Sequence, residues 1–377
     1  MRHVRLILLL FALVPATAAA QPADRVAPAR DAAATAPDEQ AVQWHTVTPA
    51  VVEGKGWSDT KGDFDRFPAR AEGTVRPPVW SLSRHASGLN VRFTSNTTIV
   101  RVRWTVTEER LALPHMAATG VSGLDLYTRV GSTWYFVSEA RPTTSPTNDA
   151  LVTAELTPES REFRLYLPLY NGVSQLEIGV ADGASFRFEP PLAARPVVVY
   201  GTSITQGGCA SRPGMSYTAI LGRRLDVPFV NLGFSGNGKA EPEVARLLAE
   251  LDPAVFVIDS LPNMTPQEVA DRMPALIDTI RAAHPRTPIV LIEHLPYPSL
   301  RFRKEKAASV ATANASLRSI HEARRKAGDR QITLVPGAGL LGSDGEGTVD
   351  NSHPTDLGFT RIADGLEPHL RRALRDR

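Results

Sequence analysis

Ser203 lies in PVVVYGTSITQGG (196–208), directly behind an apolar run and ahead of a pair of glycines. A serine hydroxyl becomes a useful nucleophile when a base lies within hydrogen-bond reach and a third group fixes the base's tautomer. Far along the chain, DNSHP (350–354) offers both: His353 as base, and Asp350, three residues earlier, to hold its other ring nitrogen. Between them come the glycine-dense NLGFSGNG (231–238) and DSLPNM (259–264). The N–H of Ser203, the N–H of Gly236 and the side-chain amide of Asn263 are donors that can face a developing oxyanion. The chemistry would be acyl transfer through a serine ester. Each piece also has a plainer reading. GTSIT can be only a turn and helix cap, where Ser and Thr are favoured. Asp350 or His353 can equally be a metal ligand or a loop-capping residue.

Bringing these groups to one edge calls for a parallel sheet. Residues 197–200, 229–231, 255–258, 289–293 and 332–335 are apolar runs of strand length. Apolar residues at helical spacing fill 217–225, 244–251 and 265–283, and a last helix is expected from 356 to 372. Thr265 with Glu268 three residues on is a capping-box signature. Such alternation gives a parallel sheet with helices on both faces. Catalytic groups gather beyond the carboxyl ends of its strands, and every candidate group above sits on such an exit loop. Upstream the period is two. Val100, Val102, Trp104 and Val106 alternate with Arg101, Arg103 and Thr105, the pattern of a half-buried antiparallel strand. Further strands are expected at 88–93, 124–129, 134–138, 151–156, 162–167 and 175–180, so residues 42–190 read as a β-sandwich of jelly-roll type.

Residues 1–20 read as a signal peptide: Arg2 and Arg5, a short apolar stretch over 6–14, then Ala18-Ala19-Ala20. Export to the periplasm or the medium is expected. Residues 21–41 are rich in Ala, Pro, Asp and Arg and read as a disordered leader. The single cysteine, Cys209, excludes an intramolecular disulfide and reads as a small packed residue rather than a second nucleophile. A formal net charge of +2 gives no reason to expect nucleic acid as a partner. The signal's apolar stretch is too short for stable membrane insertion. No HExxH motif and no run of clustered Cys and His points to zinc, so neither a metal nor an organic cofactor is expected. The sequence sets no oligomeric state.

GTSIT, NLGFSG, LPNM and DNSHP, in that order, resemble the four blocks of the SGNH (GDSL-like) hydrolases across about 196–370. Gly123-Leu-Asp-Leu-Tyr127 is similar to the GxDLY domain found ahead of one subfamily, which YGTSITQGGCASRPGMSY also resembles. The resemblance implies an α/β, flavodoxin-like three-layer hydrolase domain with a five-stranded parallel sheet over 191–377, behind the antiparallel β-sandwich. It implies Ser203, Gly236, Asn263 and His353 as the defining set. It also implies a secreted serine esterase that removes small acyl groups, acetyl above all, from a carbohydrate. Thr202 stands where many relatives have Asp, and Pro262-Asn263 where many have GxND. The elbow of GxSxG hydrolases is absent, because no glycine follows Ser203 at the second position. Two alternatives stay open: a lipase- or thioesterase-like hydrolase of longer acyl esters, and a non-catalytic carbohydrate-binding relative. His294, Tyr297, Asn237 and Arg212 are candidate substrate contacts, although Asn237 and Arg212 serve equally well as loop-stabilising groups, and His294 is an alternative base. Trp57, Trp80, Trp134 and Tyr135 would form a sugar-stacking platform if exposed, and are otherwise core or inter-domain contacts.

Overall fold

A computed structural model describes residues 41–375. The expected signal peptide and all but the last residue of the leader lie outside them. The β-rich part supplies β1 (Val42–Thr46), β2 (Val52–Glu53), β3 (Asn90–Ser95), β4 (Val100–Val106), β5 (Leu124–Val130), β6 (Thr133–Ala140), β7 (Thr147–Thr153), β8 (Arg161–Tyr166), β9 (Val173–Ala181) and β10 (Phe186–Phe188). They form two antiparallel sheets, β1-β9-β4-β7 and β10-β3-β8-β5-β6, with β2 added beside β3. On β4 the expected alternation holds at every position: Val100, Val102, Trp104 and Val106 are buried against Phe93, Leu126, Phe163 and Leu165 of the other sheet. The Trp104 indole N–H donates to the Ser122 carbonyl, 3.0 Å away, which satisfies the one polar atom this burial brings in. Strand β7 starts four residues ahead of the expected 151. Its first half is polar, and Asp149 pairs with Arg101 and Arg103 across the strand edge.

The α/β part contains β11 (Val197–Gly201), β12 (Phe229–Gly233), β13 (Val255–Asp259), β14 (Ile289–Ile292) and β15 (Ile332–Val335), all parallel, in the order β12-β11-β13-β14-β15. This is the flavodoxin-like order, with its switch point at β11. The pleat sends Val198 and Tyr200 into a core with Val244, Leu248, Val269 and Leu276, while Val197 and Val199 meet Ile220, Leu221, Phe359 and Ile362 on the opposite face. The helix Pro266–Ala283 begins with both bonds of the expected capping box, Glu268 N–H to Thr265 Oγ1 at 3.2 Å and Thr265 N–H to Glu268 Oε2 at 2.9 Å. The helix Lys304–Lys326 was not foreseen, because it buries only Val310, Ala313 and Leu317 and shows a thin apolar stripe.

The two parts share a core. Between β2 and β3 the chain leaves the sandwich, and Phe67, Ala71, Val75 and Val79 join the cluster around Val198, Tyr200 and Leu232. The fully buried Arg66 donates to the carbonyls of Asn231 (3.0 Å) and Gly233 (2.9 Å) at the end of β12. The Trp57 indole donates to Glu250 at 2.9 Å. Trp57 and Trp80 pack half-buried on this cluster, Trp134 is buried with Arg164 4.6 Å from its ring, and Tyr135 alone of the four aromatics is exposed. The three tryptophans are core and inter-domain contacts, and the exposed Tyr135 by itself makes no platform.

The Gly123–Tyr127 pentapeptide shows the same division within one strand. Leu124 and Leu126 point into the sandwich core, whereas Asp125 and Tyr127 face the α/β part. The buried Asp125 carboxylate accepts Gly214 N–H at 3.0 Å and pairs with Arg212 at 2.7 Å. Tyr127 carries the Arg223 guanidinium over its ring at 4.0 Å. A Cβ at Gly123 would lie 2.6 Å from the Thr119 carbonyl oxygen, so only glycine admits this close approach.

Candidate active site

Register sets the site. Gly201 pairs with Gly233 on one side and Asp259 on the other, so three strands end in one row. Ser203, Gly236 and Asn263 follow those ends by two, three and four residues respectively. The Phe234 N–H donates to the Gly201 carbonyl (3.1 Å) and the Asn263 amide to the Phe234 carbonyl (3.2 Å), which ties the three exit loops together. Thr202 caps the short helix Ser203–Gln206 by accepting the Ile204 N–H, and the Ser203 N–H lies in the first turn, where helix geometry offers no acceptor. Gly236 adopts φ +67, in a loop where a neighbouring donor, the Ser235 N–H, is taken by Gln206 Oε1 at 2.9 Å.

Across from this row, the turn at 350–353 presents His353. Its Nε2 is 2.9 Å from Ser203 Oγ and its Nδ1 2.8 Å from Asp350 Oδ2. The other Asp350 oxygen accepts the N–H groups of Ser352 (3.1 Å) and His353 (2.8 Å), an Asx turn helped by Asn351 at φ +67. Burial raises the Asp350 carboxyl, but the His353 backbone and ring hydrogen bonds outweigh it and hold the group below its ordinary value. It is therefore ionised where an imidazolium would need it. The structure thus brings Ser203, His353 and Asp350 into one hydrogen-bonded chain, with Gly236 and Asn263 on the adjoining loops.

The remaining candidates are placed differently. His294 is buried, its Nδ1–H donates to the Leu295 carbonyl at 2.7 Å, and burial lowers its imidazole to about 4; it stays neutral and packs edge-on against Tyr297. The Tyr297 hydroxyl meets the Ser352 side chain, and burial pushes its phenol up to about 12. Tyr297 therefore backs the loop that carries His353. Asn237 accepts from Arg76 at 2.8 Å and donates to the Ser235 carbonyl at 2.8 Å, and Arg212 is engaged by Asp125. Both stabilise loops. Cys209 is buried, and burial together with Asp350 pushes its thiol up to about 12, which makes it a poor nucleophile.

Four further residues that the sequence did not mark as part of the site stand around it. The Tyr170 hydroxyl lies 3.4 Å from the Ser203 carbonyl oxygen. Gly208 lies against the His353 ring, where a Cβ would be 3.0 Å from Cδ2. Asp259, fully enclosed under the helix Ser203–Gln206, accepts from Thr205 (2.9 Å) and Tyr217 (3.0 Å), and burial pushes its carboxyl up to about 6 against those two donors. His115, from the β-rich part, has its ring 5.4 Å from that of His353. Only the glycine pair at 207–208 left a visible trace in the sequence. A cleft of about 380 Å³ opens beside Tyr170 and Ser235, lined also by His85, Glu108, Arg110 and Asn237.

Comparison with known proteins then decides the family. Residues 194–371 match the GDSL-like lipase/acylhydrolase family, and residues 42–186 match the N-terminus of SGNH-hydrolase-type esterases. A crystal structure described as a GDSL-like lipase from Bacteroides ovatus is similar at a TM-score of 0.83 and 35% identity, over 88% of this chain and 98% of that one. The chain belongs to the GDSL-like, or SGNH, hydrolases. Membership makes it a carboxylic ester hydrolase. Two further structures share the SGNH fold at low identity. A salicylyl-acyltransferase from a tetracycline biosynthetic pathway has a TM-score of 0.71 at 18% identity, over 87% of this chain and 97% of its own. An acetyl xylan esterase from the rumen bacterium Butyrivibrio proteoclasticus has 0.54 at 12%, over 89% and 99%. No curated protein matches by sequence. Among the described residues, no helix is long and apolar enough to cross a membrane.

Proposed function

We propose that this SGNH hydrolase is an exported serine esterase that removes acetyl groups from a carbohydrate. The observation that carries the reading is the relay Asp350–His353–Ser203, in which contacts of 2.8 and 2.9 Å link the 350–353 turn to a serine 150 residues before His353. Ser203 Oγ attacks the ester carbonyl while His353 Nε2 takes its proton. The oxyanion is held by the N–H groups of Ser203 and Gly236 and the amide of Asn263. Collapse of the tetrahedral intermediate expels the alcohol, which His353 protonates, and leaves an acetyl-serine. Water then attacks by the same route, with His353 as base, and releases acetate and free Ser203.

The small acyl group and the sugar rest on softer support. The cleft beside Tyr170 is lined by polar His85, Glu108 and Arg110 and by apolar Pro78, Leu82, Leu113 and Val121, so it offers hydrogen-bonding groups to a sugar next to apolar surface. An esterase named for acetyl xylan shares the fold. Export rests on residues 1–20. Hydrolysis of p-nitrophenyl acetate, butyrate and octanoate by the mature protein, beside Ser203→Ala, tests the reading. Preference for acetate with a silent variant supports it, and acetate release from an acetylated glycan panel then identifies the sugar. Preference for octanoate refutes the substrate and keeps the nucleophile. Turnover undiminished in Ser203→Ala refutes the mechanism.

A further inference from the structure

We propose that His115, Cys209, Asp350 and His353 form a binding site for a zinc ion whose occupation switches the esterase off. The inhibitory half rests on the assignment of His353 as the base. Each residue offers one ligand atom, and these atoms all lie within 4.8 Å of one another. They come from three distant stretches of chain. His115 belongs to the β-rich part, Cys209 follows the nucleophile helix, and Asp350 and His353 share one turn. The relay needs only the last two. His115 and the sole cysteine take no part in the ester chemistry, yet both converge on it.

The donor set selects the ion. Two imidazoles, one thiol and one carboxylate suit zinc, whereas magnesium and calcium take oxygen ligands. Tetrahedral zinc with bonds of about 2.0–2.3 Å sets its ligand atoms about 3.3–3.8 Å apart. Contraction by about 1 Å therefore completes the site, and the exposed His115 can supply most of that movement. The Cys209 proton passes to solvent as the Zn–S bond forms, since a coordinating thiol is deprotonated outright.

Zinc and turnover exclude each other whichever nitrogen of His353 binds. Coordination through Nε2 occupies the lone pair that accepts the Ser203 proton. Coordination through Nδ1 breaks the Asp350 hydrogen bond and leaves the ring proton on Nε2, the wrong tautomer for a base.

The test titrates Zn²⁺ into chelator-treated full-length enzyme during p-nitrophenyl acetate hydrolysis, beside Cys209→Ser and His115→Gln. Wild type should be inhibited at micromolar zinc. The variants should keep their metal-free rates and need at least about tenfold more zinc, since loss of even an outer-shell partner costs about 10–100-fold in affinity. Cobalt(II) supplies a readout independent of activity: wild type should show a thiolate-to-cobalt absorption band that Cys209→Ser lacks. Equal zinc sensitivity in all three proteins, or no thiolate band in wild type, would overturn the proposal. His115→Gln alters an exposed side chain, so it decides the matter even should Cys209→Ser not fold. A cobalt band in a wild type that hydrolyses no ester would support the metal site and refute the esterase reading instead.

Discussion

Gly208 separates two parts of the site that must touch without crowding. A Cβ there would lie 2.8 Å from the Tyr170 hydroxyl, 3.0 Å from His353 Cδ2 and 3.1 Å from the Ser203 carbonyl oxygen. Carbon atoms settle at about 3.5–4.0 Å, so Gly208→Ala must move either the imidazole or the loop by at least about half an ångström. The loop resists, because the Gly207 and Gly208 N–H groups both donate to the Ser203 carbonyl, at 3.0 and 2.7 Å. The imidazole gives way more easily, since its turn lies at the surface. A misplacement of about 1 Å can cost about a hundredfold in rate. We therefore expect kcat on p-nitrophenyl acetate to fall about 10- to 100-fold, with KM nearly unchanged because no group that binds the ester is removed. Tyr170→Phe provides the control. It deletes the nearest clash and leaves the His353 contact, so Gly208→Ala/Tyr170→Phe should stay impaired. Recovery in the double variant would trace the loss to Tyr170, and wild-type kcat in Gly208→Ala would refute the spacing argument altogether.

Three other substitutions probe the site and its support. Asp350→Asn should lower kcat about 10³- to 10⁴-fold by stabilising the wrong His353 tautomer; a loss below tenfold would remove Asp350 from the relay. Asp259 is enclosed, and its carboxyl is raised from 3.8 to about 6. Its contribution to stability is thus fully present below pH 4 and is lost as pH rises through 6, a difference of about 3 kcal/mol. Asp259→Asn should flatten the decline of Tm across that window relative to wild type, and parallel Tm–pH curves for the two proteins would refute the assignment. Asp125→Ala removes the one carboxylate facing Arg212 and leaves the Gly214 N–H without its acceptor, and should destabilise the fold by about 3 kcal/mol in urea unfolding; an unchanged midpoint would show that this clamp adds nothing.

The strands of the α/β part were readable because both their faces are buried, so Val197–Gly201 and its neighbours appear as largely apolar runs between helical segments. Ser203, His353 and Asp350, which the structure brings within hydrogen-bond reach of one another, stand at punctuations of that pattern and within blocks that resemble those of the SGNH hydrolases. Strands β1, β2 and β10 escaped notice, being short and without regular burial. Strand β7 was displaced because its first half is polar. The residues that act through space left the weakest trace. Tyr170 looks like any loop tyrosine until the fold sets its hydroxyl against the Ser203 carbonyl. His115 lies 238 positions from His353 in the chain, and no spacing rule links them. Asp259 reads as an ordinary strand-end acid, and only burial beneath Thr205 and Tyr217 gives it a distinct chemistry.

The β-rich part acts on the active site through its backbone support. The Ser203 helix has few internal bonds, being four residues long, and a helix that short does not hold its own geometry. Its restraints come largely from elsewhere. Ser87 donates to the Gln206 carbonyl at 2.7 Å, and the Gln206 amide nitrogen reaches the Leu169 carbonyl at 3.1 Å and His85 Nδ1 at 3.1 Å. The other end of the same amide, Oε1, accepts the Ser235 N–H and so fixes the loop that presents Gly236. Thr119 donates to the Ser211 carbonyl at 2.6 Å, and Asp125 binds Gly214 just beyond. The β-rich part thus fixes the segment from Gln206 to Gly214 at several points and, through one glutamine, the loop that carries Gly236 as well. Positioning to within about 0.5 Å, which the proposed chemistry requires, is a property of both parts together.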